Sequence, residues 1–145
     1  MIGLLQRVQK ASVSIADKTV ADIDIGLLVL VGIQQTDNQT HAEKLLHKLL
    51  NYRVFADEDD KMNLSLIDIN GGLLLVPQFT LAADTNKGMR PSFSNAAPPD
   101  QGKPLFEYLV EHTKNNFQRS AFGVFGADMQ VSLINNGPVT FWLEV

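Results

Sequence analysis

Apolar and polar positions alternate through the first third of the chain. Ile2, Leu4 and Val8 alternate with Gly3, Leu5 and Arg7, although both sets carry apolar residues, and Val13 and Ile15 continue the pattern. A period of two reads as strand. Asp17-Lys18 reads as a turn, after which Val20, Ile23 and Ile25 lead to Gly26. Leu27-Leu28-Val29-Leu30-Val31 is apolar without a break and stops at Gly32, as a strand covered on both faces does. The period then changes. Thr40-His41-Ala42-Glu43 has the form of a capping box with threonine as the cap, and Ala42, Leu45, Leu46, Leu49 and Leu50 follow at helical spacing. Tyr52 to Phe55 reads as a short strand and Asp57 to Lys61 as a solvated turn. Leu64, Leu66 and Ile67 return to the core, and Asn70-Gly71-Gly72 breaks the chain before a second buried strand, Leu73-Leu74-Leu75-Val76.

From Ala82 to Gly102 the pattern gives way to Pro, Gly, Ser, Asn and Ala, with Lys87, Arg90 and Phe93 among them. That is too long for an idle connection in a compact domain and reads as a functional loop. A second helix is expected from near Pro104, which suits a first turn, with Leu105, Phe106, Leu109, Val110, Thr113 and Phe117 on its buried side. Met129, Val131 and Leu133 alternate, as do Phe141, Leu143 and Val145. Between them stands Asn136-Gly137-Pro138. Asn-Gly is a hairpin signal, but a following proline lacks the N–H and has a fixed φ, which suits an edge, a bulge or a special turn. Such a segment can hold its carbonyls in an unusual direction. Two helices among about seven strands predict one α/β-type domain over residues 1–145, with a strongly curved, barrel-like sheet.

Composition narrows the function classes. With 145 residues and 45% hydrophobic content the chain can bury a real core. It has no cysteine, which excludes disulfides, thiolate metal sites and a cysteine nucleophile and fits a reducing compartment. Met1 to Lys10 lacks the charged-then-apolar form of a signal peptide, and no apolar run is long enough to span a bilayer, so a cytoplasmic location is expected. The net charge of −4 argues against broad nucleic-acid binding but leaves room for a local contact with one RNA end.

Reactive side chains are scarce. His41 and His47 are six residues apart on one helix and do not share a face, and His112 has no acid in register, so all three read as surface or boundary residues. Asp57, Glu58, Asp59 and Asp60 read as a solvated face before a cation site. Asp84 and Asp128 lie close to the motifs below, with turn roles as the ordinary alternative. The remaining candidate is Pro77-Gln78-Phe79-Thr80-Leu81 at the end of a buried strand. Gln78 offers an amide, Thr80 a hydroxyl, and the backbone N–H groups there can form an oxyanion hole. The plainer reading is a strand leading into a turn.

At these residues the chain resembles the D-aminoacyl-tRNA deacylases, which proofread chirality in translation. The resemblance runs from Met1-Ile2 and Gln6-Arg7-Val8 to Phe141-Trp142-Leu143. It is most specific in Gln78-Phe79-Thr80-Leu81-Ala82-Ala83-Asp84, Lys87-Gly88-Met89-Arg90-Pro91-Ser92-Phe93, Phe125-Gly126-Ala127-Asp128-Met129 and Asn136-Gly137-Pro138-Val139-Thr140. It implies a cofactor-free, metal-free homodimer acting on the tRNA acceptor end, with no membrane partner and no DNA. In this family a glycine and a cis-proline reach from one subunit into the other's pocket, and their carbonyls capture the amino acid so that an L side chain is excluded. That role falls on Gly137 and Pro138, with Arg7 as the arginine that braces the turn. Gln78, Phe79 and Thr80 match the pocket wall and the anion-stabilising backbone, and Phe125, Ala127 and Met129 a segment beside the terminal adenosine. The implied reaction is attack of water on the ester, assisted by the RNA 2′-hydroxyl, with glycyl-tRNA as an off-target because glycine has no side chain to exclude. Pro77 departs from the serine usual in the family and removes one N–H donor. A related animal deacylase that clears L-alanine from the wrong tRNA shares that proline, but pairs it with alanine where this chain has Phe79 and uses a trans-proline turn. Two alternatives therefore stand beside the D-specific reading: an L-alanyl-tRNA deacylase-like enzyme and a non-enzymatic nucleic-acid-binding dimer.

Overall fold

In chain order the elements are β1 (Ile2–Ile15), β2 (Lys18–Ile23), β3 (Gly26–Gly32), α1 (Gln39–Asn51), β4 (Phe55–Ala56), β5 (Met62–Leu64), β6 (Gly72–Pro77), α2 (Pro99–Asn116), β7 (Ser120–Phe122) and β8 (Gln130–Glu144). A single 3-10 turn, Phe79–Ala82, follows β6. The computed structural model describes residues 1–86 and 88–145. The length of β1 organises the sheet. Ile2 to Val8 pair with β3 and Ala11 to Ile15 with β2, both antiparallel, while β8 lies antiparallel along β1 from Ile2 to Ser14. Strands β6 and β7 extend the sheet parallel from β3. Strand β2 bends back toward β6 and β7, so the sheet nearly closes into a barrel. The small β4–β5 ladder stands apart.

The two continuous apolar runs are buried on both faces. Leu27, Val29, Val31, Leu73 and Leu75 pack under α1 and α2, whereas Leu28, Leu74 and Val76 fill the barrel interior with Val8, Ala11, Val13 and Ile23. Each such side chain contributes about 2 kcal/mol by leaving water. Helices α1 and α2 pack on each other, and Tyr108 of α2 donates to Glu43 of α1 at 2.6 Å. The Met1 α-ammonium is buried against Asp37, 2.6 Å from Oδ1, and Asp37 Oδ2 accepts the Gln34 N–H at 2.7 Å.

Three local expectations are corrected and one left open is decided. Helix α1 is capped by Asn38, not Thr40: Asn38 Oδ1 accepts the His41 N–H at 3.3 Å and His41 Nδ1 accepts the Asn38 N–H at 3.2 Å. Glu43 is thereby left free for Tyr108. Helix α2 begins at Pro99 and contains Pro104 at an exposed position. Of the readings open at Asn136-Gly137-Pro138, the structure takes the bulge. The alternating runs on either side belong to one strand, β8, which pairs Asn135 with Val8 and Thr140 with Gln6, so residues 136–139 bulge outward opposite Arg7 alone. The first hairpin turn lies one residue earlier than expected, at Ala16-Asp17, both with positive φ (47° and 63°) as a tight hairpin of this hand requires.

Candidate active site

Strand β6 delivers its last residues to a cleft of about 550 Å³ walled by Pro77, Phe79, Phe93, Pro98 and Phe125, with Gln35 at its edge. The parallel β3–β6 pairing ends at Val31 opposite Pro77, and the Gln78 N–H closes it on Val31 O at 2.7 Å. The chain then tightens into the 3-10 turn. Gly32 makes this possible, because a Cβ there would lie 2.9 Å from Leu81 Cβ.

The backbone donors in this stretch can be followed one by one. Pro77 has none, the Gln78 N–H is spent on Val31, and the Leu81 N–H is spent on Gln78 O. Among the described residues the N–H groups of Phe79 and Thr80 have no partner, as the opening of a turn leaves them. Phe79 lines the cleft and Thr80 follows it in the turn, so two adjacent backbone donors beside the cleft are left unengaged. Thr80 Oγ1 accepts from Gln78 Nε2, an amide that cannot take a proton.

The long loop supplies the far wall. Phe93 packs on Phe79 with ring centroids 5.1 Å apart. The loop is sewn to the segment after β3 by Gln35 N–H to Asn95 O, Ala97 N–H to Ile33 O and Gln35 Nε2 to Ser94 O, at 3.1, 2.9 and 2.7 Å. Asp84 has a turn role: it accepts from Asn86 N–H and Nδ2 and bridges to Ser92. Lys87 lies outside the described residues. Phe125 reaches the cleft and packs on Phe106 of α2, but Ala127 and Met129 are not among the lining residues. Met129 instead lies beneath, where its Sδ accepts the Val124 N–H at 3.3 Å and its side chain joins the barrel core.

Gly137, Pro138 and Arg7 form a second constellation. The Gly137–Pro138 peptide is cis, and Gly137 has φ +140°. A Cβ on Gly137 would lie 2.7 Å from Val139 Cγ2 and 3.0 Å from Arg7 Nη2, so only glycine fits. Arg7 braces the bulge from below: Nε donates to Asn136 O at 2.9 Å and Nη1 to Val54 O at 2.6 Å. Within the chain this bulge is remote from the cleft. Arg7 pairs with Leu27 and Pro77 with Val31, so the two sites are offset by four residues of strand, about 13 Å, besides lying on opposite sides of β1 and β3. Among the described residues no group of His, Asp or Glu side chains is arranged to hold a metal ion.

An apolar cleft with two unengaged backbone donors in the adjoining turn is what the end of β6 offers. Residues 4–144 match the family model described as D-Tyr-tRNA(Tyr) deacylase. D-aminoacyl-tRNA deacylases of Pseudomonas putida and Stutzerimonas stutzeri are 62% and 61% identical to this chain, over 100% and 99% of each protein. The solved structure of a c-Myc DNA Unwinding Element Binding Protein superposes with a TM-score of 0.95 at 37% identity, covering 100% of this chain and 99% of that one. A probable eukaryotic D-amino acid tRNA deacylase shares the fold, with a TM-score of 0.85 at 17% identity over 99% of this chain and 98% of that one. The chain belongs to the D-aminoacyl-tRNA deacylase family, enzymes that hydrolyse D-aminoacyl-tRNA. Its substrate is thus a tRNA carrying an amino acid on its acceptor end.

Proposed function

We propose that residues 1–145 act as one unit within a homodimer, in which the Gly137-Pro138 bulge of each subunit completes the cleft of the other. The observation that carries this reading is the separation of the two constellations along the β3 register. Both are built from rigid backbone, and one chain cannot bring them to the same substrate. Across a two-fold interface each bulge meets the partner's strand end, and the arrangement repeats itself symmetrically. The Gly137 and Pro138 carbonyls then take the amino group of the substrate, a D side chain points away, and an L side chain collides with the backbone. Glycyl-tRNA passes for want of a side chain.

The aromatic walls Phe79, Phe93 and Phe125 accept the terminal adenosine. Water attacks the ester carbonyl, the Phe79 and Thr80 N–H groups receive the developing oxyanion, and its collapse breaks the ester bond, so that the ribose oxygen leaves with the proton the water gives up and the free amino acid is released. The tRNA 2′-hydroxyl activates the water. A covalent role for Thr80 is disfavoured because its hydroxyl is engaged by an amide and not by a base. The cytoplasm, where aminoacyl-tRNA is made and used, is the setting this reaction requires.

The test is hydrolysis of D-tyrosyl-tRNA and L-tyrosyl-tRNA, with and without chelator. Release of D-tyrosine alone, insensitive to chelator and largely retained by Thr80→Ala, is the expected result. Hydrolysis of L-alanyl-tRNA in place of the D substrate would establish the animal-type specificity. The name carried by the 37% identical neighbour favours a second reading, DNA binding. It predicts retention of duplex DNA with no ester hydrolysis, against the direction set by a net charge of −4.

A further inference from the structure

The bulge in β8 is closed by a side chain that has no part in the mechanism above. Asn135 Oδ1 accepts the Val139 N–H at 2.7 Å, and Asn135 Nδ2 donates to Thr140 Oγ1 at 2.9 Å and to Val139 O and Gln6 Oε1 at 3.3 Å each. The Asn135 side chain thus grips Val139 by both its N–H and its C=O. Ladder bonding to β1 is interrupted here, and the carboxamide stands in for it across the base of the bulge. Asparagine presents an acceptor and a donor on two separate atoms of one planar group, whereas a serine or threonine hydroxyl has a single atom for both and aspartate keeps the acceptor alone. Arg7 holds the entry to the bulge at Asn136 O and Asn135 holds its exit at Val139. Gly137 and Pro138 lie between these two fastenings, and no side chain among the described residues donates to their carbonyls.

We propose that Asn135 is a positioning residue for chiral selection, fixing the direction of the Gly137 and Pro138 carbonyls by clamping Val139. The inference rests on the reading that these carbonyls meet the amino acid. It assigns Asn135 no contact with substrate.

The experiment compares Asn135→Ala, Asn135→Asp, Gly137→Ala and a stability control, Leu66→Ala, which empties a buried core position within the turn before β6. The readouts are kcat and KM for D- and L-tyrosyl-tRNA and the thermal midpoint. Each hydrogen bond is worth roughly a factor of five in an equilibrium, so Asn135→Ala should narrow the D-over-L ratio of kcat/KM by about tenfold or more. Asn135→Asp, an isostere that keeps the acceptor for Val139, should fall between Asn135→Ala and the unsubstituted protein. Leu66→Ala should lower the thermal midpoint at least as far with the ratio unchanged. The inference is overturned if both Asn135 variants keep the original ratio while Gly137→Ala loses it, or if Leu66→Ala narrows the ratio equally. If Gly137→Ala also keeps the ratio, the reading of the bulge falls and takes this inference with it.

Discussion

Between Pro77 and Leu81 only Phe79 and Thr80 keep an N–H that the fold does not use. One of these can be deleted without rebuilding the turn. Phe79 is the first residue of the 3-10 helix, where proline is tolerated, and the preceding Gln78 has φ −145° and ψ 81°, outside the helical region that a following proline forbids. Phe79→Pro therefore removes the donor and the ring together, whereas Phe79→Ala removes the ring alone. Relative to Phe79→Ala, the proline variant is expected to lose about 10²–10³ in single-turnover rate at saturating D-tyrosyl-tRNA. Equal rates would remove this donor from the mechanism. The segment was legible in the sequence as a motif at a strand end, and its plainer reading, a strand running into a turn, also describes its geometry. Asn135 gave no such signal: beside Asn136 and Gly137 it reads as one more turn residue, and its value depends on meeting Val139 across a bulge that only the β1–β8 register creates.

At the scale of elements, periodicity located β1, β3, α1 and β6 because a repeat of two, an unbroken apolar run and a repeat of 3.6 each correspond to a distinct burial geometry. It misplaced the helix starts and the first hairpin turn: at α1 one side-chain hydrogen bond decides between neighbouring candidates, while α2 begins at Pro99 with no side-chain cap. Asn38 and Thr40 are equally plausible caps until His41 Nδ1 is seen to return the bond. Strand β7 is three half-buried residues that are too short for any period to register. The acidic run was rightly read as a solvated turn, yet one member organises it. Asp57 accepts from Asn63 Nδ2 at 2.6 Å and from the Asp59 and Lys61 N–H groups at 2.9 Å each, tying together the β4–β5 hairpin. The Asn63 bond first, and the backbone bonds after it, hold the Asp57 carboxyl below the usual carboxylate range. A carboxyl with a lowered folded pKa stabilises above its unfolded value, about 3.9, and loses that contribution as pH falls through the folded value. Asp57→Asn should therefore lower the thermal midpoint at neutral pH, and the difference from the unsubstituted protein should shrink below about pH 4. A difference that stays constant down to the acid limit would show that the charge is irrelevant to the hairpin.

At the scale of the whole molecule distance decides. The bulge and the cleft stand at opposite ends of the β3 register, each held rigidly, so neither can travel to the other within a chain. If both act on one substrate they come from two subunits, and inactivating substitutions in the two places must complement. Take a chain carrying Phe79→Pro and another carrying Gly137→Ala, each expected to hydrolyse D-tyrosyl-tRNA far more slowly alone. In a mixed dimer one site combines both defects, and the other joins the intact cleft of the second chain with the intact bulge of the first. Random exchange of equal amounts makes half of all dimers mixed with one sound site in two, so activity should recover to about a quarter of the unsubstituted level. Size-exclusion chromatography would confirm exchange with a tagged subunit, and D-tyrosyl-tRNA hydrolysis would report recovery. A site assembled within one chain predicts none, because every site in the mixture would keep the defect of its own chain. Recovery without the D-over-L preference would instead locate the cleft partner correctly and remove the bulge from chiral selection.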